Sequence, residues 1–249
     1  MAGIIWHDRV DSTNSLALRQ ISTLDNLSVL AAREQTAGRG QRGNRWLSRP
    51  GENLTFSLVL RFGESGFPPL AAKQACRINI LAPVAVRDFL REEGCDCRIK
   101  WPNDVFAGGK KICGILVENG LGGGEIVHSV IGIGINMNQR VFDDLANATS
   151  LSCMTGKQYD LHASLEKVVA KLEAWLPALR DGDAYAALRR EYDAALFLKG
   201  VVRQYRNLLT NNLFSGIIEG VDEEGRAVVT NCDDGSLQRF SFKELGYIL

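Results

Sequence analysis

Glu34-Gln35-Thr36-Ala37-Gly38-Arg39-Gly40-Gln41-Arg42-Gly43-Asn44-Arg45-Trp46 is the stretch on which the reading of this chain turns. Its glycines let a backbone approach a ligand closely, and its arginines present forked donors that suit a carboxylate or a phosphate. From Arg33 to Arg49 there are five arginines (Arg33, Arg39, Arg42, Arg45, Arg49) against one acid, Glu34. Gly38-x-Gly40-x-x-Gly43 also spells the dinucleotide-binding fingerprint, but that fingerprint must open a helix. Here Asn44 to Asn53 contains Pro50-Gly51 and leads into a strand. No Gly-Lys-Ser/Thr follows, so it is not a phosphate loop of the Walker kind. An RNA-binding Arg/Gly segment sits in disordered, repeated sequence, whereas this one is single and flanked by strands. A doubly wound nucleotide fold is therefore set aside, and Trp46 offers a stacking face to a purine.

Outward from that loop, Asp11 and Ser12 offer N-caps to a short helix carrying Leu16, Ala17 and Ile21 on one face. Val29 to Ala32 reads as a strand entering the loop. Leu54, Phe56, Leu58 and Leu60 alternate with Thr55, Ser57 and Val59, which predicts a strand with one strongly buried face. Leu70 to Glu93 is helical in pattern, with Pro83 expected to kink or divide it. Ile112 to Glu118 and Val127 to Asn136 read as strands. Ser164 to Leu179 and Asp183 to Leu196 read as helices, the first with Leu165, Val168, Val169, Leu172, Trp175 and Leu179 at core spacing. After Leu198 come short strands at Val201 to Tyr205, Phe214 to Val221, Ala227 to Asn231 and Leu237 to Phe242, separated by turn residues. The chain reads as an α+β domain over residues 1–198 and a small β-barrel over 199–249.

The 249 residues suffice for that arrangement, and 45% apolar with 23% charged residues is an ordinary soluble composition. Lys+Arg and Asp+Glu are 29 each, so no broad basic field exists for nucleic acid or a membrane surface. No apolar run approaches the roughly 18 residues of a membrane span. Met1 to Arg9 lacks the pattern of a secretory signal, and a cytoplasmic location is expected. Cys95-x-Cys97 has no second pair or nearby His, so Cys76, Cys95, Cys97, Cys113, Cys153 and Cys232 read as plain thiols rather than a metal site or a disulfide framework. His7, His128 and His162 form neither a metal spacing nor a nucleophilic triad.

Two further segments carry chemistry. Lys100-Trp101-Pro102-Asn103-Asp104 is a turn after a strand, and Gly108-Gly109 is a second turn before Lys110-Lys111-Ile112-Cys113-Gly114. Lys111 at the start of a strand can point its ammonium into a cleft, with Gly114 leaving room for a ligand. The same residues also read as a hairpin with solvated lysines. Val130 to Asn138 places Gly132 and Gly134 on one strand face, where a flat ligand or a crossing strand could lie.

Together these segments resemble the biotin protein ligases. The matching stretches are Asp11-Ser12-Thr13-Asn14, Gln35 to Gly43 with Trp46, Lys100 to Asp104 with Lys111 and Gly114, and Gly132 to Met137. They span roughly the first 140 residues, and the C-terminal part fits the family's SH3-like domain more loosely. The resemblance implies a class II synthetase-like catalytic domain, with a mixed sheet and flanking helices. It also implies a two-step reaction. The carboxylate of biotin attacks the α-phosphate of Mg-ATP to give biotinyl-5′-AMP, and a lysine of a biotin carboxyl carrier domain, on acetyl-CoA carboxylase or a related carboxylase, then takes the biotinyl group.

By that resemblance Ser12, Thr13, Asn14 and Gln35 address the ureido ring, with Gly38 in the loop that closes over biotin. Arg39, Gly40, Gln41 and Lys111 hold the carboxylate and phosphate end. Gly114, Leu116, Gly132 and Gly134 form the wall, and Trp46, Asn103 and Asn136 receive the adenosine beside Arg39 and Lys111. Lys100 and Asp104 belong to the catalytic set, at the second step or the metal, with Mg2+ carried by ATP rather than by a protein cage. Some family members have Arg where Gln41 stands, so weaker retention of the adenylate is expected. Lys243-Glu244-Leu245-Gly246 replaces the family's usual Gly-Glu-Val-like motif, leaving the barrel's role open. Lipoate ligases, the related alternative, carry an Arg-x-x-Gly-Gly-Gly loop with a nearby His, and neither occurs here. A biotin-sensing regulator is the other alternative. Ten residues precede Asp11, too few for a helix-turn-helix, so DNA binding is not expected. A homodimer is left open. Octanoyl transfer would need a reactive Cys113, which sits in an apolar strand.

Overall fold

The computed structural model describes residues 3–63, 67–142 and 147–248, with the Arg42 side chain outside the description. β3 (Leu54–Arg61) runs through the middle of the principal sheet. Its apolar residues Leu54, Phe56, Leu58 and Leu60 are buried as expected, but Thr55, Ser57 and Val59 are buried too. Single-sided burial is therefore corrected: α1 (Thr13–Arg19) covers the second face. Val59 joins Ala17, Leu24, Leu30 and Val130 in a small cluster there. Thr55 and Ser57 survive burial because each hydroxyl has a partner, Ala32 O and the Thr13 and Asn14 side chains.

The sheet has the order β1-β2-β3-β8-β7-β6-β5, with β4 against β8. β1 (Ile4–Val10), which periodicity did not reveal, lies parallel to β2 (Val29–Gln35), with α1 as the crossover between them. The other pairings are antiparallel, through β4 (Leu70–Ala71), β5 (Cys97–Lys100), β6 (Asp104–Ala107), β7 (Lys110–Gly122) and β8 (Glu125–Ile135). β7 runs past both of its expected ends and β8 starts slightly before its own, so the two form one long hairpin.

The opposite face carries the main core beneath α2 (Cys76–Glu92), α4 (Leu161–Trp175) and α5 (Gly182–Ala194). A short α3 (Leu151–Thr155), also unforeseen, closes the segment after β8. α2 begins later than expected, and Pro83 does not divide it. A helix-interior proline costs about 3 kcal/mol. Leu81, Val84, Val86 and Phe89 around it are fully buried, and each contributes about 1.5–3 kcal/mol, so the packed helix continues.

Beyond α5 the chain forms an antiparallel five-stranded sheet, ordered β12-β11-β10-β9-β13. Its strands are β9 (Val202–Asn207), β10 (Leu213–Val221), β11 (Ala227–Asn231), β12 (Leu237–Phe240) and β13 (Leu245–Tyr247). It curls barrel-like round aromatic residues, with Phe214 stacked on Phe240 at 5.7 Å and Tyr205 on the edge of Tyr247 at 5.5 Å. The core does not stop between the two sheets, for Tyr205, Ile218, Val221 and Phe240 belong to the same cluster as α2 and α5. No helix among the described residues is long and apolar enough to cross a membrane.

Candidate active site

Strand register builds the site. Thr55 pairs with Gly134, Gly134 with Gly114, and Gly114 with Asp104, so one row crosses four strands, bare of side chains on the middle two, and ends on a carboxylate. The next row is Ser57, Gly132 and Leu116. Directly paired residues share a face, so both rows form the floor of one trough. The trough opens into a cavity of about 360 Å³, a size usual for small-ligand sites.

One end is a network of mostly neutral polar groups at the N-terminus of α1, bordered by the Glu118–Arg39 ion pair. Ser12 caps that helix, its hydroxyl accepting from Ser15 N at 3.5 Å. Thr13 donates through both its amide and its hydroxyl to Gln35 Oε1, at 2.8 and 3.2 Å. Asn14 lies directly over Gly132, where a Cβ would meet its side chain. Its amide donates to Leu116 O at 3.3 Å and to Glu118 at 2.9 Å, and its oxygen accepts from Ser57 at 2.6 Å. Ser12, Thr13 and Asn14 are almost fully buried, so their orientations are fixed before any ligand meets them.

The other end is charged. Lys111, second residue of β7, bonds Asp104 at 2.7 Å. Lys100 projects between the two sheets, its ammonium 5.0 Å from the Phe106 ring and 4.7 Å from that of Tyr247. Burial disfavours its charged form and draws its pKa below the usual lysine value; Asp104 opposes that shift and Lys111 adds to it. Asn103 is buried in the turn and donates to Ile115 O.

The Gly38–Gly43 loop folds over the trough. Gly40 N donates to Asn44 O at 2.8 Å and Trp46 N to Gly38 O at 3.0 Å, with a one-turn 3-10 helix at Gln41–Gly43 between. Trp46 lies on the glycines: a Cβ at Gly114 would stand 2.8 Å from its ring, and one at Gly134 would overlap it. The Trp46 indole nitrogen is buried without a hydrogen-bond partner among the described residues.

The match of these residues to a known pattern is extensive. The sequence pattern defining the biotin/lipoate A/B protein ligase family matches residues 6–136. The biotin–[acetyl-CoA-carboxylase] ligase of Paracoccus denitrificans is 31% identical over 232 residues, covering 89% of this chain and 91% of that protein. The chain belongs to the biotin/lipoate A/B protein ligase family. The bifunctional ligase/repressor of Bacillus subtilis is 31% identical over 228 residues, and this ligase spans 67% of its length. Among solved structures, the biotin protein ligase of Aquifex aeolicus in complex with biotin and ATP superposes with a TM-score of 0.80 at 25% identity, over 99% of this chain and 98% of that one.

Most of the expected residues of this ligase meet in the cavity: Ser12, Thr13, Asn14 and Gln35 at one end, Arg39, Gly40 and Gln41 in the loop, and Trp46 on the floor. Gly114, Leu116, Gly132 and Gly134 are its wall, with Lys100, Asn103, Asp104 and Lys111 beyond. Two expected contacts do not reach it. Asn136 is buried and its amide donates to Thr149 O at 2.9 Å, so it braces the segment after β8 and is not among the residues lining the cavity. Gly38 lies behind the lining, where a Cβ would overlap the Trp46 carbonyl; its need for glycine is loop closure. Two arginines of the expected positive patch are paired with acids, Arg33 facing Asp8 at 3.6 Å and Arg39 bonded to Glu118 at 2.7 Å, while Arg45 donates to the neutral Thr36 O at 3.0 Å and keeps its charge.

Sequence reading missed two groups. Glu118 holds both Arg39 and Asn14, and its one signal was its place at the end of an expected strand. Leu208, Lys243, Leu245, Gly246 and Tyr247 line the cavity from the strands and turns of the C-terminal sheet; the Lys243-Glu244-Leu245-Gly246 motif stands out in the sequence, but nothing local says that it reaches the site. Cys113 is fully buried and its thiol is pushed well above the usual range, chiefly by burial, which removes it as a nucleophile.

Proposed function

We propose that the cavity is where this biotin protein ligase makes biotinyl-5′-AMP and then passes the biotinyl group to a lysine of a biotin carboxyl carrier domain. The observation that carries the reading is the two-ended trough, with a neutral polar network at Asn14, a glycine floor, and Lys111 with Asp104 opposite. A ureido ring offers one carbonyl and two N–H groups, and Ser12, Thr13, Asn14 and Gln35 answer with donors and acceptors already fixed. A thin hydrocarbon ring and chain lie on Gly132, Gly134 and Gly114. The carboxylate is thereby directed to Lys111.

Joining a carboxylate to a phosphate brings two anions together, and charge grows on the phosphate oxygens as pyrophosphate leaves. Lys111 and Arg39 supply cations at that point. Trp46, once shifted from the glycines, stacks on the adenine while Asn103 closes the turn beneath it. Mg2+ carried by ATP would be held mainly by phosphate and water and would offset phosphate charge. Asp104, the one carboxylate lining the cavity among the described residues, is the protein group that would reach it. In the second step the carrier lysine attacks the anhydride carbonyl as a free amine, AMP leaves, and the proton lost by nitrogen passes to a base; Asp104 stands at that end. Tyr247 and Lys243 make residues 199–249 part of the mouth that the carrier domain meets.

Pyrophosphate release with ATP and either biotin or lipoate tests the assignment. Release is expected with biotin. Release with lipoate alone overturns it.

A further inference from the structure

Arg39 stands far from the end of the trough where the proposed reaction needs it. Its guanidinium is clasped by Glu118, with Nη1 donating to Oε2 at 3.0 Å and Nη2 to Oε1 at 2.7 Å, and Nη1 also 3.5 Å from Ser15 Oγ. Glu118 lies four residues past Gly114 on β7, roughly 13 Å along an extended strand. The Lys111 ammonium lies at the level of Gly114 and is bonded to Asp104 at 2.7 Å. Glu118 is no loose surface acid. Its Oε2 accepts from Asn14 at 2.9 Å, and Asn14 is held in turn by the fully buried Ser57 at 2.6 Å. A guanidinium that gives two parallel bonds to a carboxylate cannot give the same pair of donors to a phosphate.

We infer that Glu118 is a positioning residue that competes with the substrate's anions for Arg39 and so sets how readily the arginine reaches the reacting end. This rests on the adenylation reading above. Arg39 crosses from a fixed carboxylate to a carboxylate or phosphate of the substrate, one charge-assisted pair exchanged for another, with no proton moved. The Gly38–Gly43 loop is the segment that carries it, and Trp46 travels with the same loop off the glycine floor.

The test is ATP binding to the full chain without biotin, by calorimetry, in wild type, Glu118→Gln, Arg39→Ala and the double variant. Glu118→Gln is expected to bind ATP at least threefold more tightly than wild type, and the gain is expected to vanish when Arg39 is Ala. No gain in the single variant overturns the inference. An equal gain in both backgrounds also overturns it, because removing any nearby negative charge would then explain the effect. Thermal unfolding accompanies each measurement, and if Glu118→Gln does not fold, Glu118→Asp, with its carboxylate drawn back by one methylene, is read by the same criteria. Wild type that releases no pyrophosphate with ATP and biotin defeats the adenylation reading itself. Normal release with no tighter ATP binding in the variant defeats this inference alone.

Discussion

Lys111 enters the cavity because it is the second residue of β7 and because the neighbouring Gly114 leaves its chain space to lie across the strand. Its bond to Asp104 is partly exposed and contributes about 0–1 kcal/mol to stability. Charge neutralisation at a reacting phosphate is worth more, about 2.7–4 kcal/mol for one well-placed donor. Lys111→Ala should therefore cut pyrophosphate release by about 100-fold or more while moving the melting temperature little. Ordinary turnover in that variant would remove Lys111 from the mechanism. Gln41 lines the same cavity and carries no charge. Gln41→Arg adds a cation beside the adenylate, so dissociation of biotinyl-5′-AMP, followed by filter binding, should slow; unchanged or faster release refutes the expected weak retention.

Among elements, β7 and β8 act as a floor rather than as a framework. Gly114 and Gly134 face each other in register, and both need the missing Cβ because the Trp46 ring lies on them. Overpacking of this kind costs typically about 1–3 kcal/mol. Gly134→Ala should raise the KM for biotin about 10-fold or more, by the same range. Retention of wild-type affinity would mean that the ligand does not lie on this strand face. The glycines themselves were visible in the sequence, as were the strands that bear them. Their alignment into a single row was not, since register between β3, β8, β7 and β6 is set by long-range pairing. β3 is a parallel case: its alternation was plain, but only the arrival of α1 explains why its Thr and Ser are buried.

Across the whole molecule, Lys100 and the Trp101-Pro102 turn sit on the seam between the two sheets. Trp101 packs on Phe242 at 5.7 Å and its indole donates to Gly225 O at 3.0 Å, while Tyr192 donates to Pro102 O at 2.9 Å. A charged Lys100 in this seam is costly, as its lowered pKa records. The unfolded chain holds that proton more firmly than the folded one, so the cost is present wherever the folded chain keeps Lys100 charged. Stability from this group is regained as pH rises toward the ordinary lysine value. Lys100→Met should then raise the melting temperature at pH 7, by roughly 2–4 °C for each kcal/mol recovered. That advantage should shrink toward pH 10, with activity reduced. A lower melting temperature at pH 7 would show that the contacts with Phe106, Tyr247 and Asp104 outweigh the desolvation.

The chemistry of this protein was determined by local sequence, because a glycine that admits a ligand, an arginine fork or a lysine at a strand start keeps its meaning wherever the chain runs. That was enough for the family, for an α+β fold with a small β module, and for most residues of the cavity. Partnership was decided only by the tertiary structure. Glu118 claimed Arg39, Asp8 faced Arg33, Thr149 took Asn136, and β13 brought Tyr247 to Lys100. The physical reason is that charge and hydrogen-bond capacity are properties of a residue, whereas their satisfaction depends on neighbours that lie tens to over a hundred residues away.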